Sequence, residues 1–329
     1  MLQILLVAHG NMRIPPNGWG AVESLIFEYY QGLVKLGHVV SILNTTDLGT
    51  IVSLINNQEW DFVHIHNDAL VNIVPCLKDN KRIIVTSHYP YIQSPERWND
   101  PASGYNYGAI VWNPLTDLLK SRPNTLVGTV SPKDYMFFKQ YVPEKNVFLM
   151  LNGVNSSKFQ FVETPQNSKR TICLAQIMKR KRQNLLRDVG CVDFIGKVID
   201  TEELVENRYL GEWTDDGKYS CLTQYGNSVL VSDGENGTPL SVKESLFAGL
   251  GVVVSEAAAS ELPRSWSWVT VVTEDIIRNP DLLAKAIEAN RSKALQMRPQ
   301  IREEAMKLWD WASLVPRYVE SVKKGFGLT

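Results

Sequence analysis

Residues 4–23 read Ile4-Leu5-Leu6-Val7-Ala8, then His9-Gly10-Asn11, a proline-containing turn, and Gly18-Trp19-Gly20-Ala21-Val22-Glu23. A short run of apolar residues closed by glycine is a buried strand, and the glycine pair beyond it opens onto a helical pattern from about Ala21 to Leu36, where Gly37 fits the C-cap region. The segment Met1–Ala8 has no basic flank and is cut short at Gly10, so it reads as a strand and not as a leader.

The same unit recurs. Ile4–Ala8, Val39–Leu43, Phe62–Ile65, Ile83–Thr86, Thr125–Val130 and Val147–Leu151 are short runs rich in Ile, Leu and Val, separated by longer amphipathic stretches. Strands that are apolar throughout need cover on both faces, which is the signature of a parallel sheet built from βαβ units. A polar stretch without periodicity, residues 163–170, ends this half as a linker. The alternation resumes at Thr171–Ala175, Val192–Ile195, Ser228–Val231, Val252–Val254 and Val269–Val272, with a helix from about Leu240 to Ala248.

The expected architecture is therefore α/β, with two Rossmann-like domains facing across a cleft. The boundaries are 1–162 for an N-terminal domain, 163–170 for the linker, 171–305 for a C-terminal domain and 306–329 for a final helix crossing back to brace the first. Residues 281–324 are helical in pattern, with breaks expected at Pro299 and Pro316. Trp309, Trp311 and Tyr318 would form the brace.

At 329 residues the chain is long enough for two cores, and 44% hydrophobic with 21% charged residues is an ordinary globular composition. A net charge of −1 gives no general attraction to nucleic acid. No stretch reaches the roughly 20 apolar residues of a membrane span, leaving at most peripheral membrane contact. Cys76, Cys173, Cys191 and Cys221 lack any CxxC spacing. They read as small core residues of a cytoplasmic protein, without a zinc site or disulfide framework.

Four constellations carry chemistry. In the first loop, Gly18, Trp19 and Gly20 let the backbone approach a ligand, and the helix start behind them attracts anions. At the carboxyl ends of neighbouring strands, His66 and His88 emerge where open α/β sheets bind ligands. His88 leads into a loop containing Pro90, Pro95 and Gly104 that is long enough to shape a pocket. Tyr89, Trp98, Tyr105 and Tyr107 there either stack on ligand rings or pack on the domain. Lys179-Arg180-Lys181-Arg182-Gln183 follows the first strand of the second half, where a diphosphate would lie and cations would do the work of a divalent ion. Last, Ser232-Asp233-Gly234-Glu235-Asn236-Gly237-Thr238-Pro239-Leu240 ends a strand and starts a helix able to hold phosphate, with Glu244 placed for ribose hydroxyls.

Taken in order, these motifs resemble the retaining glycosyltransferases of family 4, which have the GT-B fold. Gly18-Trp19-Gly20-Ala21-Val22-Glu23, Gly37-His38-Val39-Val40, His64-Ile65-His66, Ser87-His88, Val130-Ser131 and Asn152-Gly153-Val154-Asn155 with Phe159 match the first half in sequence order. In that family a strand is followed by Gly-Arg, four residues and Lys. Here Gln176 stands for the arginine and Lys181 for the lysine, with Arg180 or Arg182 supplying the missing charge. Of the family's paired glutamates, Glu244 is the second. Asn236 falls at the first, with Glu235 one residue earlier.

The resemblance implies metal-independent transfer, with retention, of a sugar from a UDP- or GDP-sugar to a hydroxyl of a glycan, lipid or small molecule. Lys181, Glu235, Asn236 and His88 would be catalytic, His88 meeting the sugar from the opposite domain. Gly237, Thr238, Pro239 and Leu240 would hold the β-phosphate, and no cofactor is expected. The departures at Gln176 and Asn236 keep open a sugar-nucleotide-binding protein of the same fold with weak or no catalysis. An epimerase or phosphorylase on the same scaffold is a further alternative.

Overall fold

The computed structural model describes residues 1–100 and 105–329, so the loop position Gly104 lies outside the described residues. The chain divides into two compact units. The first takes Met1–Pro16, Gly20–Asn152 and Trp311–Thr329, and the second takes Asn17–Trp19 and Gly153–Asp310.

The first unit begins β1 (Gln3–Ala8), α1 (Ala21–Lys35), β2 (Val39–Asn44), α2 (Leu48–Asn57), β3 (Phe62–Ile65) and β4 (Ile83–Thr86). A two-residue antiparallel pair follows, β5 (Asn99–Asp100) and β6 (Tyr105–Asn106), then α3 (Asn113–Ser121), β7 (Thr125–Thr129), α4 (Pro132–Phe138) and β8 (Val147–Leu149). Six strands pair in parallel in the order β2-β1-β3-β4-β7-β8. β3, β4 and β7 are buried along their whole length, which is why they read as largely apolar runs.

The α1 helix turns its Leu25, Ile26, Tyr29 and Leu33 inward. It ends where Gly37, at φ +83°, lets its own N–H reach Val34 O and that of His38 reach Leu33 O, closing a Schellman motif.

The second unit comprises β9 (Asn167–Leu174), β10 (Val192–Ile195), α5 (Asp215–Cys221), β11 (Tyr225–Leu230), α6 (Leu240–Phe247), β12 (Gly251–Ser255), β13 (Val269–Val272), α7 (Glu274–Ile277), α8 (Pro280–Ala294) and α9 (Arg298–Trp309). Its five strands are parallel in the order β10-β9-β11-β12-β13. The last helix, α10 (Trp311–Phe326), belongs to the first unit. It packs closely on α1, where a Cβ on Gly32 would meet Val315 Cγ2 at 2.6 Å. Tyr29 of α1 contacts Trp311 edge-on and Tyr318 at a tilt, with ring centroids 4.8 and 4.9 Å away.

Several expectations need correction. The stretch 163–170 is not all linker, because Asn167–Arg170 form the first half of β9. Their polarity misled because this half lies near the surface, with alternate residues exposed. The segment 153–162 belongs to the second unit: Val154 N–H donates to Trp309 O at 2.9 Å, and Arg302 and Arg298 hold Ser156 O and Val162 O at 3.0 and 3.1 Å. The change of unit near the C-terminus comes after Asp310, with Trp309 buried in the second unit.

Pro299 sits in the first turn of α9, as a helix start allows, but Pro316 lies inside α10 and does not end it. Cys76 and Cys221 are exposed and only Cys173 is fully buried. Among the described residues no helix is long and apolar enough to cross a membrane.

Candidate functional site

In an open parallel sheet the ligand crevice lies beyond the carboxyl ends of the strands where the order reverses. In the second unit that point is between β9 and β11, because the chain moves from β9 outward to β10 and then returns to the far side of β9 at β11. The loops leaving these two strands carry Gln176–Arg182 and Ser232–Pro239.

The two loops are laced together. Asp233 N–H donates to Arg180 O at 3.0 Å, and Arg180 Nη1 donates to Gly234 O at 2.6 Å. Glu235 places Oε1 on Lys181 Nζ and Oε2 3.0 Å from Arg180 Nη1. This three-residue cluster is largely buried, with side-chain exposures of 8% for Glu235, 10% for Lys181 and 23% for Arg180. Burial alone would raise the Glu235 carboxyl, but the two cations outweigh it and hold the group below its ordinary range. Burial pulls Lys181 down, against the attraction of Glu235.

The run 179–183 contains no α-helix. Lys179–Lys181 and Gln183–Leu186 are single 3₁₀ turns, joined at Arg182 with φ +56°. Arg182 does not join the cluster. Its Nε donates to Val231 O at 2.6 Å and its Nη1 reaches both Glu274 oxygens at 2.9 Å, tying the end of β11 to α7. Gln176 contributes its backbone, its C=O accepting from Gln183 Nε2 at 2.8 Å.

Helix α6 begins at Leu240 rather than at Gly237, with Pro239 as its cap residue and Gly237 at φ +75° in the turn before. Leu240 and Ser241 are its first two residues, whose N–H groups have no acceptor one turn back. The Thr238 N–H is already engaged by Glu261 Oε1 at 2.9 Å, and Glu261 N–H returns to Thr238 Oγ1 at 3.0 Å. The other Glu261 oxygen accepts from buried Lys243 at 2.8 Å and from Trp309 Nε1 at 3.2 Å. Glu244 pairs with Lys218 of α5 at 2.8 Å. Neither Glu261 nor Lys218 stood out in the sequence, since each lies in a segment without a motif.

In the first unit the strand order reverses between β1 and β3. His9, just after β1, donates from Nε2 to Glu23 Oε1 at 2.7 Å while its Nδ1 accepts from Asn11 N–H at 3.0 Å. A Cβ on Gly20 would lie 3.0 Å from Glu23 Oε2 and 2.8 Å from Pro16 Cβ, so the glycine lets the loop close over Glu23. Gly18 takes φ +102°. The start of α1 thus already holds a buried carboxylate of its own.

Within β3 and just beyond the ends of β3 and β4, three histidines form a ladder. His64 and His66 rings stack at 3.8 Å, and His66 and His88 lie 6.3 Å apart at 13°. His64 is fully bonded, to Tyr318 Oη at 2.9 Å and Thr86 Oγ1 at 2.8 Å. Both ring nitrogens of His66 and the Nε2 of His88 are buried without a hydrogen-bond partner among the described residues. Burial pulls His64 down to about 3 and His88 to about 4, and puts His66 well below its ordinary value, so all three are neutral near pH 7.

Asp68, whose carboxyl is raised by burial, accepts from Ser87 Oγ, which in turn accepts from Tyr107 Oη at 3.0 Å. Tyr89 stacks on Tyr107 at 4.1 Å, with Tyr105 6.1 Å away. Trp98 donates to Tyr91 O at 2.9 Å and packs on Trp112 and Tyr107, so its indole serves the domain interior.

No protein-family model matches the sequence, and no curated protein does. Solved structures match across the chain. Sucrose-phosphate synthase from Thermosynechococcus elongatus aligns with TM-score 0.78 at 13% identity, covering 100% of both chains. AviGT4, a glycosyltransferase involved in avilamycin A biosynthesis, aligns with TM-score 0.70 at 15% identity over 100% of this chain and 99% of its own. Anabaena HepE in complex with UDP and glucose aligns with TM-score 0.72 at 14% identity over 98% of this chain and 100% of its own. The chain, with its two parallel-sheet α/β units, therefore has the GT-B fold that these glycosyltransferases share.

Proposed function

We propose that the protein is a cytoplasmic, retaining, metal-independent glycosyltransferase of the family 4 type. It moves a hexose from a UDP- or GDP-sugar to a hydroxyl of a glycan, lipid or small-molecule acceptor. The observation that carries this reading is the buried Lys181–Arg180–Glu235 cluster at the switch point of the second sheet, beside the start of α6. A diphosphate there meets two cations and the helix N–H groups at Leu240 and Ser241, an arrangement that stabilises charge developing on the leaving phosphate. HepE was crystallised with UDP and with UDP-glucose, which supports a nucleotide-sugar donor for this chain.

Glu244 would take the ribose hydroxyls, and its pairing with Lys218 orients it for that. His66 and His88, neutral and with open ring nitrogens, are suited to sugar or acceptor hydroxyls, and Tyr89 and Tyr105 are further candidates for acceptor contacts. Asn236 would hydrogen-bond donor hydroxyls in place of a glutamate.

A second reading, a sugar-nucleotide binder with little or no catalysis, is favoured by one observation: both oxygens of Glu235 are committed to cations and not presented to a sugar. A donor panel separates the two. Wild type is assayed for product with UDP- and GDP-sugars, alongside Lys181→Ala and His88→Ala. Turnover abolished by Lys181→Ala supports the transferase. Nucleotide binding without turnover across acceptors leaves the binder, and no binding of any nucleoside diphosphate removes both.

A further inference from the structure

We propose that Glu235 is a built-in competitor for the diphosphate: its carboxylate sits on Lys181 and Arg180 until the donor displaces it, and returns to help expel the product nucleotide. This inference rests on the nucleotide-sugar reading above.

The geometry is that of a filled anion seat. Each carboxylate oxygen has its own cation, Oε1 with Lys181 and Oε2 with Arg180 at 3.0 Å. Two cations less one carboxylate leave a single positive charge for the doubly charged diphosphate of a nucleotide sugar. The cluster is nine-tenths buried at Glu235 and Lys181, so solvent screens the competition weakly.

Phosphate and carboxylate both make short charge-assisted bonds to ammonium and guanidinium groups, so the two anions compete for the same donors. The diphosphate gains by offering more oxygens, including some to the α6 N–H groups that Glu235 does not reach. Gly234 and Gly237, the latter at φ +75°, flank the exchanging segment and give its backbone the freedom to let Glu235 withdraw.

A specificity consequence follows. A ligand without a diphosphate has no means of displacing Glu235, so the site rejects nucleosides and neutral sugars. After transfer, Glu235 is positioned to retake Lys181 and Arg180 and speed release of the nucleoside diphosphate.

The test is calorimetric titration of wild type, Glu235→Gln and Glu235→Asp with UDP, GDP, ADP, inorganic pyrophosphate and the parent nucleosides. Glu235→Gln is expected to bind the preferred nucleoside diphosphate and pyrophosphate about tenfold more tightly than wild type, with nucleoside binding unchanged. Glu235→Asp, with the charge on a shorter arm, is expected to show a smaller gain in the same direction. Unchanged or weaker diphosphate binding in a folded Glu235→Gln overturns the competitor role. If Glu235→Gln fails to fold, Glu235→Asp decides, and wild-type or weaker affinity overturns it. Wild-type binding without any gain in the variants sinks only this role, whereas no binding by wild type or either variant sinks the donor reading with it.

Discussion

Lys243 Nζ and Glu261 Oε2 lie 2.8 Å apart, with side-chain exposures of 0% and 3%. The same carboxylate fixes Thr238 N–H and Trp309 Nε1, so one buried group holds the entry turn of α6, its fourth residue and the end of α9. Removing one partner of a buried pair leaves the other charge uncompensated, at a cost of about 3–5 kcal/mol. Glu261→Gln is expected to lose at least about 3 kcal/mol in urea unfolding. Lys243→Met combined with Glu261→Met should recover much of that, because two apolar side chains leave no stranded charge. The double variant should still bind nucleoside diphosphates more weakly, since Thr238 N–H has lost its acceptor. A single variant as stable as wild type would mean the pair does not hold the turn.

The cations of 179–182 divide into two tasks, and this division is measurable. Lys181 faces the cluster, whereas Arg182 holds Val231 O and Glu274. Lys181→Ala is expected to weaken UDP or GDP binding by tenfold or more. Arg182→Ala should lower the melting temperature by several degrees, the scale of a loss of about 1–2 kcal/mol, while leaving nucleotide affinity within about threefold. Equal affinity losses in both variants would place Arg182 back in the diphosphate site.

How much of this was legible from the sequence differs between strands and side chains. β3, β4, β10 and β13 begin and end where their largely apolar runs do, because most positions of a parallel strand are covered by the layers on either side, and a single polar residue such as His64 or Asp193 does not break the run. Asn167–Arg170 were hidden for the converse reason: half of β9 lies near the surface and looks like a loop. Gly37 is readable as a helix end, and in the structure it takes the positive φ that such a position favours. The partners Glu261 and Lys218 were not readable, because they reach α6 from segments distant in sequence, and long-range pairing leaves no local spacing. Pro316 was misread because a proline inside a helix is a break only by default, and packing on α1 carries α10 through it.

Arg298 is fully buried, and among the described residues its guanidinium meets only carbonyls and a hydroxyl. It donates to Val162 O at 3.1 Å, Tyr225 O at 2.9 Å, Thr223 O at 2.5 Å and Ala248 O at 3.2 Å. Burial brings its guanidinium down to about 10, which keeps it charged at pH 7. These bonds pin the chain entering the second unit, the start of β11 and the end of α6. Arg298→Met keeps much of the volume but strands several carbonyls, so a loss of about 3 kcal/mol or more is expected by chemical unfolding. Arg298→Lys should fail to rescue, because a single ammonium cannot reproduce the fork. Full stability in Arg298→Lys would show that charge alone suffices.

The histidine ladder predicts an acid-sensitive first unit. In the folded chain His64 titrates at about 3, His88 at about 4 and His66 well below its ordinary value, all through burial. Unfolded, each titrates near 6.5. Below that pH the unfolded chain binds protons that the folded chain refuses, so stability is fully present above about pH 7 and is lost as pH falls. At pH 5.5 the loss is about 1.4 kcal/mol per histidine, or about 4 kcal/mol for the three. Unfolding free energies at pH 7.5 and 5.5 check the sum, and His66→Leu checks its origin. His66 makes no hydrogen bond through either ring nitrogen among the described residues, so replacing it removes one titrating group without breaking a bond. The variant's loss between the two pH values should be smaller than that of wild type by about 1.4 kcal/mol, with every other titrating group cancelling in the comparison. An identical loss in both proteins would mean that His66 takes up its proton while the first unit is still folded.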